Sequence, residues 1–193
     1  EHPDAEYDIH HPAWKEHESV HWNEPLYGFY RNDDPYVLRK HAQYFANAGV
    51  DALFFDTTNG SLVWKDAYMA LLEEFHKARL DGIKTPQVAF IMNFGPMPST
   101  LHMLRSLYQD LYKPGLYRDL WFLWEGKPLV LAYPEAIPQE GKSDFDTALL
   151  NEIRSFFTFR PPQPMYAGGP RREDQWGWLE IAPQNGYVKK PDG

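Results

Sequence analysis

The sequence predicts an α/β fold built on a parallel sheet, a (β/α)8 TIM barrel that is incomplete within these 193 residues. First, the strand-like segment 50–56 contains a short apolar run, Ala52 to Phe55, that ends in Asp56, a pattern typical of strands buried on both faces of a parallel sheet. Second, strand-like and helix-like segments alternate along the chain, which favours parallel strands joined by right-handed crossovers. Third, no strand is followed by a glycine-rich phosphate-binding motif, which disfavours a nucleotide-binding doubly wound sheet. A complete barrel needs about 200–250 residues, so we expect one strand before residue 1 and one or two after residue 193.

The first part of the chain is predicted to form two strands around one helix. Residues 26–30 resemble a short strand. A helix over 35–47 follows, because Asp34 suits the N-cap, Pro35 suits the first helical position and apolar residues recur at helical spacing. Gly49 ends this helix, since glycine adopts the left-handed conformation of a helix C-terminus without strain. Residues 50–56 form the next strand, and a polar cluster falls at its carboxyl end.

The rest of the chain repeats the strand–helix unit. Apolar periodicity predicts a helix over 64–80, ended by Gly82, and another that is capped by Ser99 or Thr100 and stopped at Pro114. The turn Glu125-Gly126-Lys127 lies between two strand-like runs, which predicts a β-hairpin. The other predicted elements are a helix over 144–156 and strands over 87–94, 120–124, 128–133, 157–160 and 175–180. We treat the chain as a single barrel domain in which residues 1–25 form a long loop.

Composition excludes several classes of partner. The net charge of −8 argues against nucleic acid, which needs a basic footprint. Without cysteine the chain has neither disulfides nor thiolate metal sites, and no apolar run approaches the roughly 18 residues of a membrane span. Aromatic residues make up 16% of the chain, which indicates either a large aromatic core or a cleft that stacks on sugar rings. The N-terminal loop carries five histidines, but their spacing is not that of a helical zinc site, so we interpret them as sugar-contacting or solvated residues.

Polar side chains stand at the carboxyl ends of the predicted strands, where ligands bind in parallel α/β proteins. Cleaving a glycosidic bond needs one carboxyl group as proton donor and a second as nucleophile or base. The candidate catalytic carboxylates are Asp56, Glu135 and Glu180. The candidate substrate-binding residues are Tyr30, Arg31, Asn59, Asn93, Tyr133, Arg160, Trp176, Trp178, His10, His11 and Trp14.

Each candidate also has an ordinary structural explanation. An acid at a strand end often only caps the next helix or pairs with an arginine, and Arg160 can itself form such a pair. Asp56 is singled out because a carboxylate that closes a wholly apolar strand is costly unless partners hold it. Glu180 is singled out for the same reason and because Trp176 and Trp178 flank it.

Three segments carry a resemblance to a known family. They are DPYVLRKHA at 34–42, AGVDALFFD at 48–56 and the hairpin EGKPLVL at 125–131. Together they resemble barrel glycosidases of the endo-α-mannosidase and α-1,3-glucanase (mutanase) type, which include relatives from polysaccharide-degrading bacteria, over roughly residues 26–135. The resemblance implies a TIM barrel, an α-linked glycan substrate, an extracellular or periplasmic location and no obligatory cofactor. The family's catalytic-glutamate motif has no match here, so Asp56 and Glu180 rest on their positions alone.

Three functions therefore stay open. The first is a glycoside hydrolase, or a large fragment of one, that uses carboxylate acid/base or nucleophilic catalysis. The second is a non-catalytic carbohydrate-binding barrel whose stacking platforms include Trp14, Trp22, Trp176 and Trp178. The third is a metal-dependent barrel hydrolase that uses His10, His11 and Asp56.

Overall fold

The computed structural model describes residues 8, 10–13, 25–138, 146–163 and 172–177. Within these ranges helices and strands alternate as predicted. The helices are α1 (Pro35–Asn47), α2 (Lys65–Leu80), α3 (Pro98–Leu107) and α4 (Thr147–Phe156). The strands are β1 (Ala52–Asp56), β2 (Gln87–Ile91), β3 (Leu123–Trp124), β4 (Lys127–Leu131) and β5 (Thr158–Phe159). None of the described helices is long and apolar enough to cross a membrane.

The sheet is parallel except for one hairpin strand, β3, and its parallel strands follow the order of the chain. β1 pairs with β2, β2 with β4 and β4 with β5, all in parallel, while β3 joins β4 as an antiparallel hairpin. A helix lies between successive parallel strands, and the strand order does not reverse among the described strands. Doubly wound nucleotide-binding sheets do reverse their order at a switch point. The described strands therefore form the parallel sheet with alternating helices that the sequence predicted, and its closure into a barrel stays a prediction.

The two faces of the sheet differ in what covers them. The face of Leu53, Phe55, Phe90 and Val130 packs against the helices and belongs to the main hydrophobic core, with buried side chains such as Leu72, Phe75, Leu104 and Ile153. The other face, called the distal face below, carries a smaller cluster of Ala89, Ile91, Leu129 and Leu131, against which Phe122 and Trp176 pack. Phe54 on the distal face stays 36% exposed. The helices therefore cover one side of the sheet.

Local sequence signals explain where the elements begin and end. The Asp34 carboxylate accepts hydrogen bonds from the backbone N–H groups of Tyr36 and Val37 at 2.9 and 3.2 Å, which caps α1 as predicted. Gly49 follows α1 at a φ of 71°. Glu125 and Gly126 form the two-residue hairpin turn with φ values of 54° and 79°, which matches the right-handed twist of the strands they join.

Several predicted boundaries were wrong. Residues 26–30 form turns and a bend instead of a strand, because Gly28 adopts a φ of 71° and donates its N–H to the carbonyl of Pro25 at 3.0 Å. Neither Ser99 nor Thr100 caps α3: the helix begins at Pro98 after Met97, which makes no side-chain cap. Helix α3 continues as a π turn over Tyr108–Tyr112 before the predicted stop.

The last predicted strand is described only in part. Trp176 forms an isolated parallel bridge with Pro162, just beyond β5. The Trp176 N–H donates to the Pro161 carbonyl at 3.0 Å, and the Gln163 N–H donates to the Trp176 carbonyl at 2.9 Å. Residues 178–180, which complete the prediction, lie outside the described residues. The prediction that residues 1–25 form a long loop also falls mostly outside them.

Candidate functional site

A pocket of about 460 Å³ opens at the carboxyl end of β1. In parallel α/β sheets this end of the strands is where ligands bind. The volume of the pocket lies within the range of roughly 300–1,000 Å³ that is typical of small-molecule sites. The lining residues belong to the end of β1 and the loop that leads into α2: Asp56, Thr57, Asn59, Gly60, Ser61, Leu62 and Trp64.

Asp56 brings a carboxylate to the edge of this pocket. It is the last residue of β1 and pairs with Ile91 of β2, which in turn pairs with Leu131 of β4. Side chains alternate along a strand, so Asp56 lies on the distal face with Phe54. One carboxylate oxygen accepts the Thr58 N–H at 2.9 Å, and among the described residues we find no donor to the other. The carboxylate both shapes the loop and retains an acceptor that faces outward.

Asn93 anchors the loop that lines the pocket after β1. Its side-chain N–H₂ donates to the carbonyls of Thr58 and Gly60 at 2.9 and 3.1 Å. Its side-chain oxygen accepts the hydroxyls of Ser99 and Thr100 at 3.0 and 3.1 Å. An asparagine side chain offers two donors and one oxygen with two lone pairs, and these four bonds use them all. Asn93 is therefore placed to anchor the loop, while its predicted contact with substrate stays a prediction.

Thr57 ties the same loop to β2. The residue is buried, and its hydroxyl donates to the carbonyl of Ile91 at 2.7 Å. Its backbone N–H donates to the same carbonyl at 2.9 Å. The loop that carries the pocket side chains is thus fixed at two neighbouring points, which limits how far Asp56 can move.

Trp64 is a pocket residue that sequence reasoning missed. It directly precedes α2, makes no side-chain cap, and adopts the left-handed conformation with φ 53° and ψ 56°. Its side chain is 66% exposed, and neighbouring Leu62 is 61% exposed. A usable signal was present, because this tryptophan lies between the polar cluster and the first charged turn of α2 and does not share the apolar stripe of the helix.

A second polar group lies at the carboxyl ends of β4 and β5. The Tyr133 hydroxyl donates to the carbonyl of Pro162 at 3.2 Å and accepts from the Gln175 side-chain amide at 3.0 Å. Glu135 accepts a hydrogen bond from Arg172 at 2.8 Å. The pKa of the Arg172 guanidinium is raised, first by its hydrogen bonds to Asp174 and then by Glu135.

The structure gives most of the other candidates local partners. Arg160 pairs with Glu125 at 2.7 Å, so its partner is the hairpin turn and not a strand-end acid. Arg31 pairs with Asp33 at 2.9 Å. The Tyr30 ring lies edge-on to His41, and the Trp176 ring lies edge-on to Trp124. The backbone N–H of His10 donates to the Asp8 carboxylate, and His11 Nδ1 accepts the backbone N–H of Ala13.

Of the predicted residues, the structure therefore places Asp56 and Asn59 at one pocket, with Asn93 beneath it. Glu135 and Tyr133 lie in the second polar group, and neither lines the pocket. Trp14, Trp22, Trp178 and Glu180 lie outside the described residues. Within the described ranges, no three side chains among His, Asp and Glu are grouped closely enough to hold a metal ion.

Fold and site together define a parallel α/β protein with helices beside the sheet and a ligand-sized pocket at the strand ends. No protein-family model matches the chain, and no curated protein matches it. A solved structure of the GH99 endo-α-mannosidase from Bacteroides thetaiotaomicron, in complex with bis-tris-propane, is similar to it at 25% identity over 55% of this chain. The match covers 31% of that longer chain and has a TM-score of 0.41.

Proposed function

We propose that this chain belongs to a glycoside hydrolase that acts on an α-linked glycan, with Asp56 as one of its catalytic carboxylates. The observation that carries the proposal is the position of Asp56: it closes an apolar strand, lies on the distal face and borders a ligand-sized pocket beside the exposed Trp64. The proposal includes closure of the parallel sheet into a barrel and an extracellular or periplasmic location.

The chemistry requires a second carboxyl group. A proton donor must protonate the leaving oxygen while a carboxylate on the opposite face of the sugar acts as nucleophile or base. Glu135 and Glu180 are the proposed partners of Asp56. A separation of about 5–5.5 Å between the two carboxyl groups would make the enzyme retaining, and about 6.5–9.5 Å would make it inverting.

Replacing Asp56 tests the assignment most directly. Asp56→Asn keeps the size of the side chain and its acceptor toward Thr58, but removes the charge, so we expect cleavage to fall by about 10²–10⁴-fold. Asp51→Asn is the matched control, because Asp51 is exposed just before the opposite end of the same strand. Release of reducing ends from α-mannan and α-1,3-glucan measures activity, and circular dichroism confirms the fold.

Glu180→Gln and Glu135→Gln identify the partner in the same assay. We expect one of them to match Asp56→Asn and the other to leave most activity. Full activity in the Asp56→Asn variant would overturn the role of Asp56. Full activity in both glutamine variants would overturn the two-carboxylate mechanism in this chain.

A second candidate, a non-catalytic carbohydrate-binding protein, is favoured by one specific observation. Among the described residues that line the pocket, Asp56 is the single carboxylate. If the protein only binds glycans, the unaltered chain binds oligosaccharides without cleaving them. The metal-dependent hydrolase instead predicts activity that is lost on chelation and restored by a divalent cation.

A further inference from the structure

The charge of the β1 pocket limits which glycans it can accept. Its described lining holds one carboxylate and no Lys or Arg. Lys65, which follows Trp64 directly, points its ammonium group at Asp110 with a distance of 2.9 Å. The pocket therefore presents a negative charge without a compensating cation in its lining, an arrangement that disfavours anionic ligands.

The pocket also presents an aromatic face that the fold leaves uncovered. Trp64 is 66% exposed, although tryptophan is highly buried in most proteins. Its backbone occupies the left-handed region that favours glycine, so the chain holds a bulky side chain at a position where glycine would be less strained. Backbone strain of this kind is concentrated at functional sites.

Hydrogen-bonding side chains lie around this face. Asn59 and Ser61 are exposed in the same loop, and among the described residues we find no side-chain partner for either. Together with Asp56 they offer a carboxylate, an amide and a hydroxyl beside an indole ring. Binding sites for small polar ligands combine an apolar surface with a few placed polar groups in this way.

We propose that Trp64 is the stacking platform for a neutral pyranose ring and that this pocket excludes uronic acids and sulfated sugars. The inference rests on the proposed function and adds the charge class of the substrate and a specificity-determining residue. The C–H face of the sugar packs on the indole, and its hydroxyl groups reach Asp56, Asn59 and Ser61. A sugar carboxylate or sulfate at the same place would meet the Asp56 carboxylate without a cation to neutralise it.

The test compares glycan binding by three variants with the unaltered chain. Trp64→Ala removes the platform, Trp64→Phe keeps an aromatic face, and Leu80→Ala removes another exposed apolar side chain at the far end of α2, where Leu80 is 73% exposed. The probes are α-1,3-linked gluco-oligosaccharides and α-manno-oligosaccharides as neutral ligands, with oligogalacturonides and a sulfated oligosaccharide as anionic ones. Isothermal titration calorimetry gives each Kd.

We expect Trp64→Ala to raise the Kd for the neutral ligand by about tenfold, the size of one aromatic contact. The Kd of Trp64→Phe should stay within about threefold of that of the unaltered chain, because an aromatic contact is kept. The Kd of Leu80→Ala should equal that of the unaltered chain. The anionic probes should bind more weakly than the neutral ones, and Asp56→Asn should narrow that difference. Thermal melting of each variant checks the fold, which a side chain this exposed does little to support.

Three results would overturn the proposal: unchanged affinity in Trp64→Ala, anionic probes that bind as tightly as neutral ones, or binding to none of the probes. These results are separable from those that test catalysis. Full cleavage by Asp56→Asn would remove the catalytic assignment even if Trp64 still governed affinity. Conversely, loss of cleavage in Asp56→Asn with no effect of Trp64→Ala would remove the platform and leave the catalytic carboxylate in place.

Discussion

The anchor formed by Asn93 predicts a large loss of stability when that side chain is truncated. Asn93 is only 5% exposed, and all four of its hydrogen bonds measure between 2.9 and 3.1 Å. A hydrogen bond contributes a net of about 1 kcal/mol, so the four bonds together give Asn93→Ala a first estimate of roughly 4 kcal/mol. Some of this cost is recovered, because water can reach the exposed Gly60. The single proton of the Thr100 hydroxyl can also turn from Asn93 to the Gly95 carbonyl, which lies 3.4 Å away. We therefore expect a net loss of about 2–3 kcal/mol.

Urea denaturation followed by circular dichroism measures this loss as a shift in midpoint at an unchanged slope. Asn47→Ala is the matched control, because Asn47 is exposed at the end of α1 and accepts one hydrogen bond from Gln43. That control should stay within about 0.5 kcal/mol of the unaltered chain. Asn93→Asp adds a sharper test: it retains the acceptor but turns a carboxylate oxygen toward the carbonyls of Thr58 and Gly60, so its stability should improve as the pH falls and the carboxyl group protonates. A loss below about 1 kcal/mol in Asn93→Ala would refute the anchor, since one ordinary hydrogen bond would explain it.

Two further predictions concern the hairpin turn and the helix α4 surface. Gly126→Ala should lower the free energy of unfolding by about 1–2 kcal/mol in a urea titration, because Gly126 has a φ of 79°. An added Cβ meets no atom within 4 Å, so the backbone conformation alone decides this cost. The control Gly95→Ala, outside the left-handed region, should be near neutral, and equal losses in the two variants would contradict the prediction. The pKa of Glu152 is lowered, first by its hydrogen bond to Tyr108 and then by Lys113. Because the folded pKa lies below the unfolded one, this stabilisation is present above the unfolded glutamate value of about 4.3 and is lost as the pH falls through the folded pKa. Glu152→Gln should therefore flatten the decline of the melting temperature below that pH, and an unchanged profile would contradict it.

Where local chemistry decides the structure, the sequence was sufficient. Asp34 and Pro35 define the start of α1 through a side-chain cap and a fixed φ, and both act within four residues. The Glu125-Gly126 turn likewise defines the β3–β4 hairpin. The prediction of a strand over 26–30 was wrong because the apolar residues there resemble a strand, whereas the positive φ of Gly28 turns the chain.

The site was predictable only where a strand end marks it. Asp56 was found because it closes an apolar run, and its place on the distal face follows from alternation along β1. The roles of Ser99 and Thr100 were missed because their hydroxyls bond to Asn93 on another element, a contact that no periodicity encodes. Trp64 was missed because it was assigned to the first position of the helix over 64–80, whereas it lies just before that helix in the left-handed conformation.

Alternate residues of each strand lie on opposite faces of the sheet and have different roles. In β1, Leu53 and Phe55 face the helices and support the fold, whereas Phe54 and Asp56 face away from them toward the pocket side. Substitutions at the distal-face positions, of which Asp56 lines the pocket, can therefore change that surface while the residues between them preserve the core. The same alternation makes the site sensitive to register: a slip of one residue in β1 would bury Asp56 against the helices and place Phe55 at the pocket.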